Sequence, residues 1–121
     1  MYSTMLKAKL HCARVTEAVH EYEGSLKIDL DLMDTVQIAP FEKILVANLE
    51  NGNRWETYAI PGERGSGVIG LNGAAVFQAS VGDRIIIFTF CQLPTDQIPT
   101  HKPLILILDE NNKPVGGLKK I

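Results

Sequence analysis

The sequence contains little of what several protein classes require. Only two of its 121 residues are cysteine, Cys12 and Cys91, and they lie far apart in no metal or redox motif. We therefore expect both to be buried free thiols in a reducing cytoplasm. The three histidines, His11, His20 and His101, have no metal-ligand spacing, so we predict no metal site.

Charge and hydropathy exclude further classes. Twelve basic residues against fourteen acidic ones give a net charge of −2, without the basic stripe of a nucleic-acid-binding protein, and we predict no nucleic-acid partner. The longest apolar runs, Arg84–Leu93 and Pro103–Leu108, fall short of the roughly 18 to 20 residues that a membrane helix needs, so we predict no membrane association. The N-terminus lacks the features of a signal peptide, which favours a cytoplasmic protein.

The chain does have enough material for one domain. It is 45% hydrophobic and 21% charged, the composition of an ordinary globular protein. No internal repeat or low-complexity linker divides it. At roughly 150 residues per domain, we predict a single domain over residues 1–121.

Most of the chain has the pattern of short strands. Apolar and polar residues alternate over Leu6–Cys12, which predicts a half-buried strand with Lys7, Lys9 and His11 on its outer face. Leu26–Asp31 alternates in the same way. Further strands are predicted at Val15–Tyr22, Lys43–Leu49, Arg54–Ile60, Val68–Leu71, Arg84–Leu93 and Leu104–Leu108.

Turn signals separate these strands. Asn51-Gly52 predicts a type I′ hairpin turn, and the glycine-rich stretch Pro61–Gly67 predicts a flexible connection. Short helical turns are predicted at Leu32–Ile38 and Asn72–Ala79. Six or seven short strands with little helix predict a mainly β fold, a small closed barrel. Side chains would fill its interior, so we expect any site at the rim or between subunits.

Two Gly-Ser bonds suggest a chemistry of the chain itself. At Gly24-Ser25 or Gly65-Ser66, the serine hydroxyl could attack the preceding carbonyl and exchange an amide for an ester. Glycine tolerates the strained backbone that such a site needs. A plain turn is the commoner use of either pair, so the local sequence leaves self-cleavage and a turn as alternatives.

Six short segments occur in order, without an apparent gap, from about Met5 to Phe90. They are Met5-Leu6-x-x-Lys9-Leu10-His11, Tyr22-Glu23-Gly24-Ser25, Asn51-Gly52-x-Arg54, Thr57-Tyr58-Ala59-Ile60, Glu63-Arg64-Gly65-Ser66, and Asn72-Gly73-Ala74-Ala75 with Ala79-Ser80-Val81-Gly82-Asp83. Each is weak alone, but together they resemble the pyruvoyl-dependent aspartate 1-decarboxylase family. The last thirty residues carry no such resemblance. Ala47 stands where some members have a large aromatic residue, which we interpret as a packing difference.

The resemblance implies a six-stranded double-psi β-barrel with one or two short helices, and a homotetramer with active sites between neighbouring subunits. It implies a carbon-carbon lyase that converts L-aspartate to β-alanine and CO2 for pantothenate and coenzyme A synthesis. Its zymogen would cleave itself between Gly24 and Ser25 into chains 1–24 and 25–121, and Ser25 would become a covalent pyruvoyl group. Whether an accessory maturation protein is needed stays open, as does the strictness of aspartate specificity.

The chemistry of the reaction agrees with such a group. Decarboxylation of an α-amino acid leaves a carbanion that no ordinary side chain can delocalise, so an electron sink is needed. Pyridoxal phosphate enzymes use a Schiff-base lysine, a phosphate cup and a partner for the ring nitrogen, and the chain shows no such set. A pyruvoyl ketone at Ser25 would form the Schiff base instead, without metal or pyridoxal phosphate.

The resemblance also implies roles for the other site residues. Arg54 would bind a substrate carboxylate through its guanidinium, with Lys9 as a second cation that could exchange roles with it. Tyr58 shares strand parity with Arg54 and would protonate the carbanion, whereas Thr57 points the opposite way unless the strand bends. Substrate contacts are expected from Thr57, Asn72, Gly73, Ala74 and Ala75, and weaker ones from His11 and Tyr22.

Two other classes of function stay open on the sequence. The chain could be a non-catalytic double-psi barrel that binds a protein partner, with Gly24-Ser25 a plain turn. It could also be an unprocessed homologue that serves as a subunit or regulator. Intact-mass measurement distinguishes the cases, because only the enzyme yields two chains.

Overall fold

A computed structural model describes residues 1–121, and the mainly β class is confirmed. The helices are α1 (Leu30–Val36) and two 3₁₀-helices, η1 (Gly73–Phe77) and η2 (Thr95–Thr100), and none of them is long and apolar enough to cross a membrane. The strands are β1 (Tyr2–Arg14), β2 (Glu17–Val19), β3 (Leu26–Asp29), β4 (Lys43–Asn48), β5 (Arg54–Gly62), β6 (Ile69–Asn72), β7 (Arg84–Pro94) and β8 (Leu104–Ile107).

The sheet curves round to the segment from which it started. Its strand order is β2-β6-β3-β5-β4-β7-β1-β8, and only Val15 and Thr16 separate β1 from β2 in sequence. The backbone N–H of Val15 donates to Asp83 O at 3.0 Å, and that of Thr16 to Ile69 O at 2.8 Å. If β1 and β2 are counted as one extended segment, six strands surround the core, which supports the predicted six-stranded barrel. The remaining strand, β8, lies parallel to β1 at the end of the sheet.

Alternation in β1 fails at one position. Ala8 and Leu10 are fully buried, as the pattern predicts, but the register with β7 shifts between Leu10 and Ala13. Cys12 adopts a φ of +64° at this β-bulge, so Ala13 takes the core position instead. Cys91 lies in the C-terminal half of β7, and both cysteines are partly exposed free thiols. The prediction that they are buried is wrong.

A buried carboxylate joins β3 to α1 and to the glycine-rich loop. Asp29 caps α1 by accepting from the backbone N–H of Asp31 at 2.9 Å, which starts the helix two residues earlier than predicted. The same carboxylate accepts from Gly65 N at 3.0 Å and from Gly67 N at 2.8 Å. The loop predicted to be a flexible connection is therefore tied to the barrel.

The predicted β4–β5 hairpin is present, but its turn is not type I′. That turn needs positive φ at both central residues, and of the two only Gly52 has it, at +77°. The loop closes instead between Asn48 and Asn53, where Asn48 N donates to Asn53 O at 2.8 Å. Side-chain oxygens of Asn48 and Asn51 accept from the N–H groups of Glu50 and Asn53 at 2.9 and 2.8 Å. Such Asx turns provide an alternative to the tighter turn.

The C-terminal segment, for which the sequence predicted no role, helps to close the sheet. Asn112 is 1% exposed, and its side chain accepts from Arg14 N at 2.6 Å and donates to Arg14 O at 2.9 Å. It also donates to Gly67 O at 2.7 Å. One amide side chain therefore stands in for a strand residue between the end of β1 and the glycine-rich loop.

Candidate active site

Ser25 occupies an unusual backbone position immediately before β3. It is 3% exposed, and its φ is +88°, next to a φ of +39° at Gly24. A non-glycine residue held in such a sparsely populated region costs about 1–3 kcal/mol and persists only where the surrounding structure enforces it. Burial and backbone strain thus distinguish Ser25 from an ordinary turn serine.

Asn72, the last residue of β6, contacts Ser25 through both backbone and side chain. Its backbone N–H donates to Ser25 O at 3.2 Å, and its Nδ2 donates to Ser25 Oγ at 3.3 Å. Asn72 is 1% exposed, and its Oδ1 is buried without a hydrogen-bond partner. Buried polar atoms are rarely left in this state, so Oδ1 is an open acceptor beside the serine.

The start of η1 packs directly against the backbone of Gly24. Gly73 has a φ of +64°, and a Cβ there would lie 2.9 Å from both Gly24 N and Tyr22 O. Only glycine permits this approach of one backbone to another. The predicted cradle of small residues, continued by Ala74 and Ala75, therefore lies against Gly24 and beside Ser25.

Two cavities meet at Ser25. The smaller, of about 240 Å³, is lined by Gly24, Ser25, Trp55, Glu56, Thr57, Asn72, Ala74, Ala75 and Gln78. The larger, of about 440 Å³, is lined by Glu21, Tyr22, Glu23, Ser25, Tyr58 and Ile60. Most of the predicted site residues are thus brought together round one serine.

Strand pairing explains how adjacent residues of β5 reach Ser25 from two sides. β3 and β5 are parallel with Leu26 opposite Ala59, so Ser25 comes beside Tyr58. Thr57 and Tyr58 point to opposite faces, as their parity predicts, and each lines a different one of the two cavities. A Cβ on Gly24 would lie 3.9 Å from the Tyr58 hydroxyl, which places that phenol close to the Gly24-Ser25 bond.

Apart from Gly73, which packs on Gly24, three predicted site residues line neither cavity. Arg54 is on the same strand face as Tyr58 but four residues away, or about 13 Å along an extended strand. Lys9 lies over the Phe88 ring, 5.7 Å from its centroid. His11 has a buried, unpartnered Nδ1, and burial followed by the charge of Lys9 lowers its pKa below the ordinary value.

The charges that do line the cavities are all negative. Glu21 and Glu23 border the larger cavity and Glu56 the smaller, and neither cavity has a lysine or arginine in its wall. A dicarboxylate needs cations or hydrogen-bond donors to offset its desolvation. The walls of one chain therefore offer such a ligand no cation, although Lys27 Nζ lies over the ring of the wall residue Tyr22, 5.7 Å from its centroid.

Sequence reasoning missed several residues of the cavity walls. Trp55 shares its strand face with Thr57, so the parity argument could have found it. Nothing in the sequence marked Gln78, which follows η1. No group of three or more histidine, cysteine, aspartate or glutamate side chains lies close enough together to hold a metal ion.

Comparison with known proteins shows what this chain resembles. The family model described as aspartate decarboxylase matches residues 1–115, well past Phe90, where the resemblance in the sequence ended. The aspartate 1-decarboxylase of Exiguobacterium sibiricum is 53% identical over 112 residues, which are 93% of this chain and 88% of that protein. That of Tolumonas auensis is 50% identical over 121 residues, 100% of this chain and 96% of that protein. The chain therefore belongs to the aspartate decarboxylase family.

Proposed function

We propose that this protein decarboxylates L-aspartate to β-alanine and CO2, the step that supplies β-alanine for pantothenate and coenzyme A synthesis. Its relatives bear the name aspartate 1-decarboxylase and match nearly its whole length. The single observation that carries the proposal is the state of Ser25. This serine is buried at a φ of +88°, and its hydroxyl oxygen accepts a hydrogen bond from the Asn72 amide. The free thiols are compatible with the cytoplasm as its compartment.

Maturation would begin with the chain's own atoms. Ser25 Oγ adds to the Gly24 carbonyl carbon, the amide C–N bond breaks, and an ester and a free amine result. Loss of the Ser25 Cα proton then breaks the Cβ–Oγ bond and releases residues 1–24 with a carboxylate. Water then hydrolyses the resulting dehydroalanine, whose nitrogen leaves as ammonia. A pyruvoyl group remains at the start of residues 25–121.

The residues round Ser25 fit such a group. Cleavage removes the strained linkage, so part of the cost of holding Ser25 at positive φ favours reaction. The two cavities give a substrate access to position 25 from either side. Asn72 Oδ1, which is buried without a partner, can accept a hydrogen bond from the nitrogen of a substrate bound there. The pyruvoyl ketone would supply the electron sink that decarboxylation needs.

The chain's own side chains would then orient the substrate and move a proton. The backbone of η1, with only glycine and alanine at its start, permits close approach of the substrate. Tyr58, beside Gly24 in the larger cavity, would donate its phenolic proton to the carbon that loses CO2. Thr57 would contact the substrate from the wall of the smaller cavity.

Cations from a second copy would complete the site. The cavity walls carry only acidic charges, whereas Arg54 and Lys9 lie apart from Ser25 in the same chain. In the homotetramer that we propose, a neighbouring subunit brings these cations to the substrate carboxylates. Arg54 would hold the side-chain carboxylate, because tight pairing with the α-carboxylate would stabilise a charge that must vanish in the transition state.

A direct test combines mass and product. Purified protein incubated with L-aspartate should release β-alanine and CO2 in equal amounts, and denatured mass spectra should show chains 1–24 and 25–121. A single uncleaved chain without product would overturn the proposal. It would favour instead a barrel that binds a partner, or an unprocessed regulator.

The division of the site between subunits predicts complementation. Arg54→Ala alone should lower kcat/KM for aspartate about 10- to 150-fold, because a charge-assisted contact of about 1.5–3 kcal/mol is lost. Co-expression with Ser25→Ala should restore activity, since about one quarter of the sites in random mixed tetramers pair an intact Ser25 with an intact Arg54. Arg14→Ala, an arginine outside both cavities, is the control. No recovery in mixed tetramers would contradict a shared site.

A further inference from the structure

Three asparagine side chains converge on one carbonyl at the end of η1. The Nδ2 atoms of Asn48, Asn51 and Asn53 donate to Gln78 O at 3.1, 3.2 and 3.4 Å. All three come from the β4–β5 hairpin, 25 to 30 residues away in sequence. We call them the asparagine clasp.

The clasp is hydrogen-bonded to one end of η1, and Gly24 packs against the other end. Gln78 follows η1 directly, where helix carbonyls lack partners within the helix. Gly73 begins η1 and packs against Gly24, where even a Cβ would come within 2.9 Å of Gly24 N. Because η1 spans only five residues, about 10 Å at the rise of a 3₁₀-helix, we expect a shift at Gln78 to move Gly73 as well.

The clasp exceeds what folding requires. Asn48 is 2% exposed and has structural bonds of its own, to Asp83 Oδ2 at 3.0 Å and from Glu50 N at 2.9 Å. Asn51 and Asn53, however, are exposed, and water could satisfy their amides equally well. A carbonyl oxygen has two lone pairs, so a third donor adds restraint rather than satisfying an unmet need.

We propose that the asparagine clasp positions η1 against Gly24 and thereby sets the rate of self-cleavage at Gly24-Ser25. The inference rests on the proposed function, of which this cleavage is the first step. Attack of Ser25 Oγ on the Gly24 carbonyl requires near-attack geometry, and a misplacement of about 1 Å can slow such a step on the order of a hundredfold. The asparagines touch no reacting atom, so they are positioning residues.

The test is a double substitution, Asn51→Asp with Asn53→Asp. Aspartate keeps the shape of the side chain and the oxygen of residue 51 that accepts from the N–H of residue 53, but it replaces both amide donors with oxygens that repel Gln78 O. Cleavage of newly made protein, followed by intact mass, should slow about tenfold or more, which corresponds to roughly 1.4 kcal/mol. Asn111→Asp makes the same change on an exposed residue away from η1 and should cleave at the unaltered rate.

A second measurement separates an effect on the position of η1 from an effect on the stability of the whole fold. In a Ser25→Ala background, where nothing cleaves, the double variant should unfold within a few degrees of its parent, while the amides of residues 73–78 exchange hydrogen faster. Cleavage at the unaltered rate, equal slowing by Asn111→Asp, or unchanged exchange would overturn the clasp but leave the proposed function standing. An unaltered chain that never cleaves would overturn both.

Discussion

Ser25→Ala is expected to leave one intact chain of residues 1–121 and to abolish β-alanine formation, whereas Ser66→Ala should still yield chains 1–24 and 25–121. Alanine has no nucleophilic oxygen at position 25, so neither the ester nor the pyruvoyl group can form. The effect should be complete rather than partial, because no other side chain can supply the ketone. Intact-mass spectra and a β-alanine assay of each purified variant measure it.

The two bonds share the Gly-Ser dipeptide, but their surroundings in the structure differ. Ser66 is exposed and does not adopt a positive φ. Its hydroxyl donates to Glu63 O at 2.6 Å and accepts from Val68 N at 3.2 Å, so it belongs to a turn. Ser25 is buried, strained and bonded to the Asn72 amide. A cleaved Ser25→Ala chain, or an uncleaved Ser66→Ala chain, would refute this distinction.

Tyr58→Phe is expected to lower β-alanine formation about 10²–10⁴-fold while self-cleavage at Gly24-Ser25 continues, because general acid catalysis has that magnitude. The phenol of a tyrosine is an O–H donor, which phenylalanine lacks. Phenylalanine retains the ring, which packs beside Phe41 with centroids 6.3 Å apart. The fold should therefore survive, and kcat for aspartate measures the lost proton transfer.

Tyr2→Phe removes another phenol hydroxyl, on a side chain that is 68% exposed and lines neither cavity at Ser25, and should leave turnover unchanged. If Tyr58→Phe turns over aspartate within a few-fold of the unaltered chain, another group donates the proton. If it does not cleave, the hydroxyl acts in maturation instead. Either result would reject Tyr58 as solely the proton donor.

Local sequence patterns were reliable where adjacent residues alone determine the strand face on which a side chain lies. Alternation in β5 correctly placed Arg54 and Tyr58 on one face and Thr57 on the other. The same rule failed at Cys12, because a β-bulge moves the following residues by one place and gives Ala13 the core position. It failed again at Asn51-Gly52, where asparagine side chains close a longer turn through their own hydrogen bonds.

The amino-acid sequence was enough to predict the mainly β class and the positions of most strands along the chain. Its six short segments were enough to predict the family. The covalent chemistry of Gly24-Ser25 and Gly65-Ser66 is the same, so the choice of the first bond rested on the family resemblance alone. The tertiary structure supplied a physical difference between them, by burying Ser25 at positive φ between β5 and Asn72. It also separated Lys9 and Arg54 from Ser25 and joined η1 to a distant hairpin. Strain, burial and reach across a sheet arise from contacts between residues far apart in the chain, which no local pattern of residues specifies.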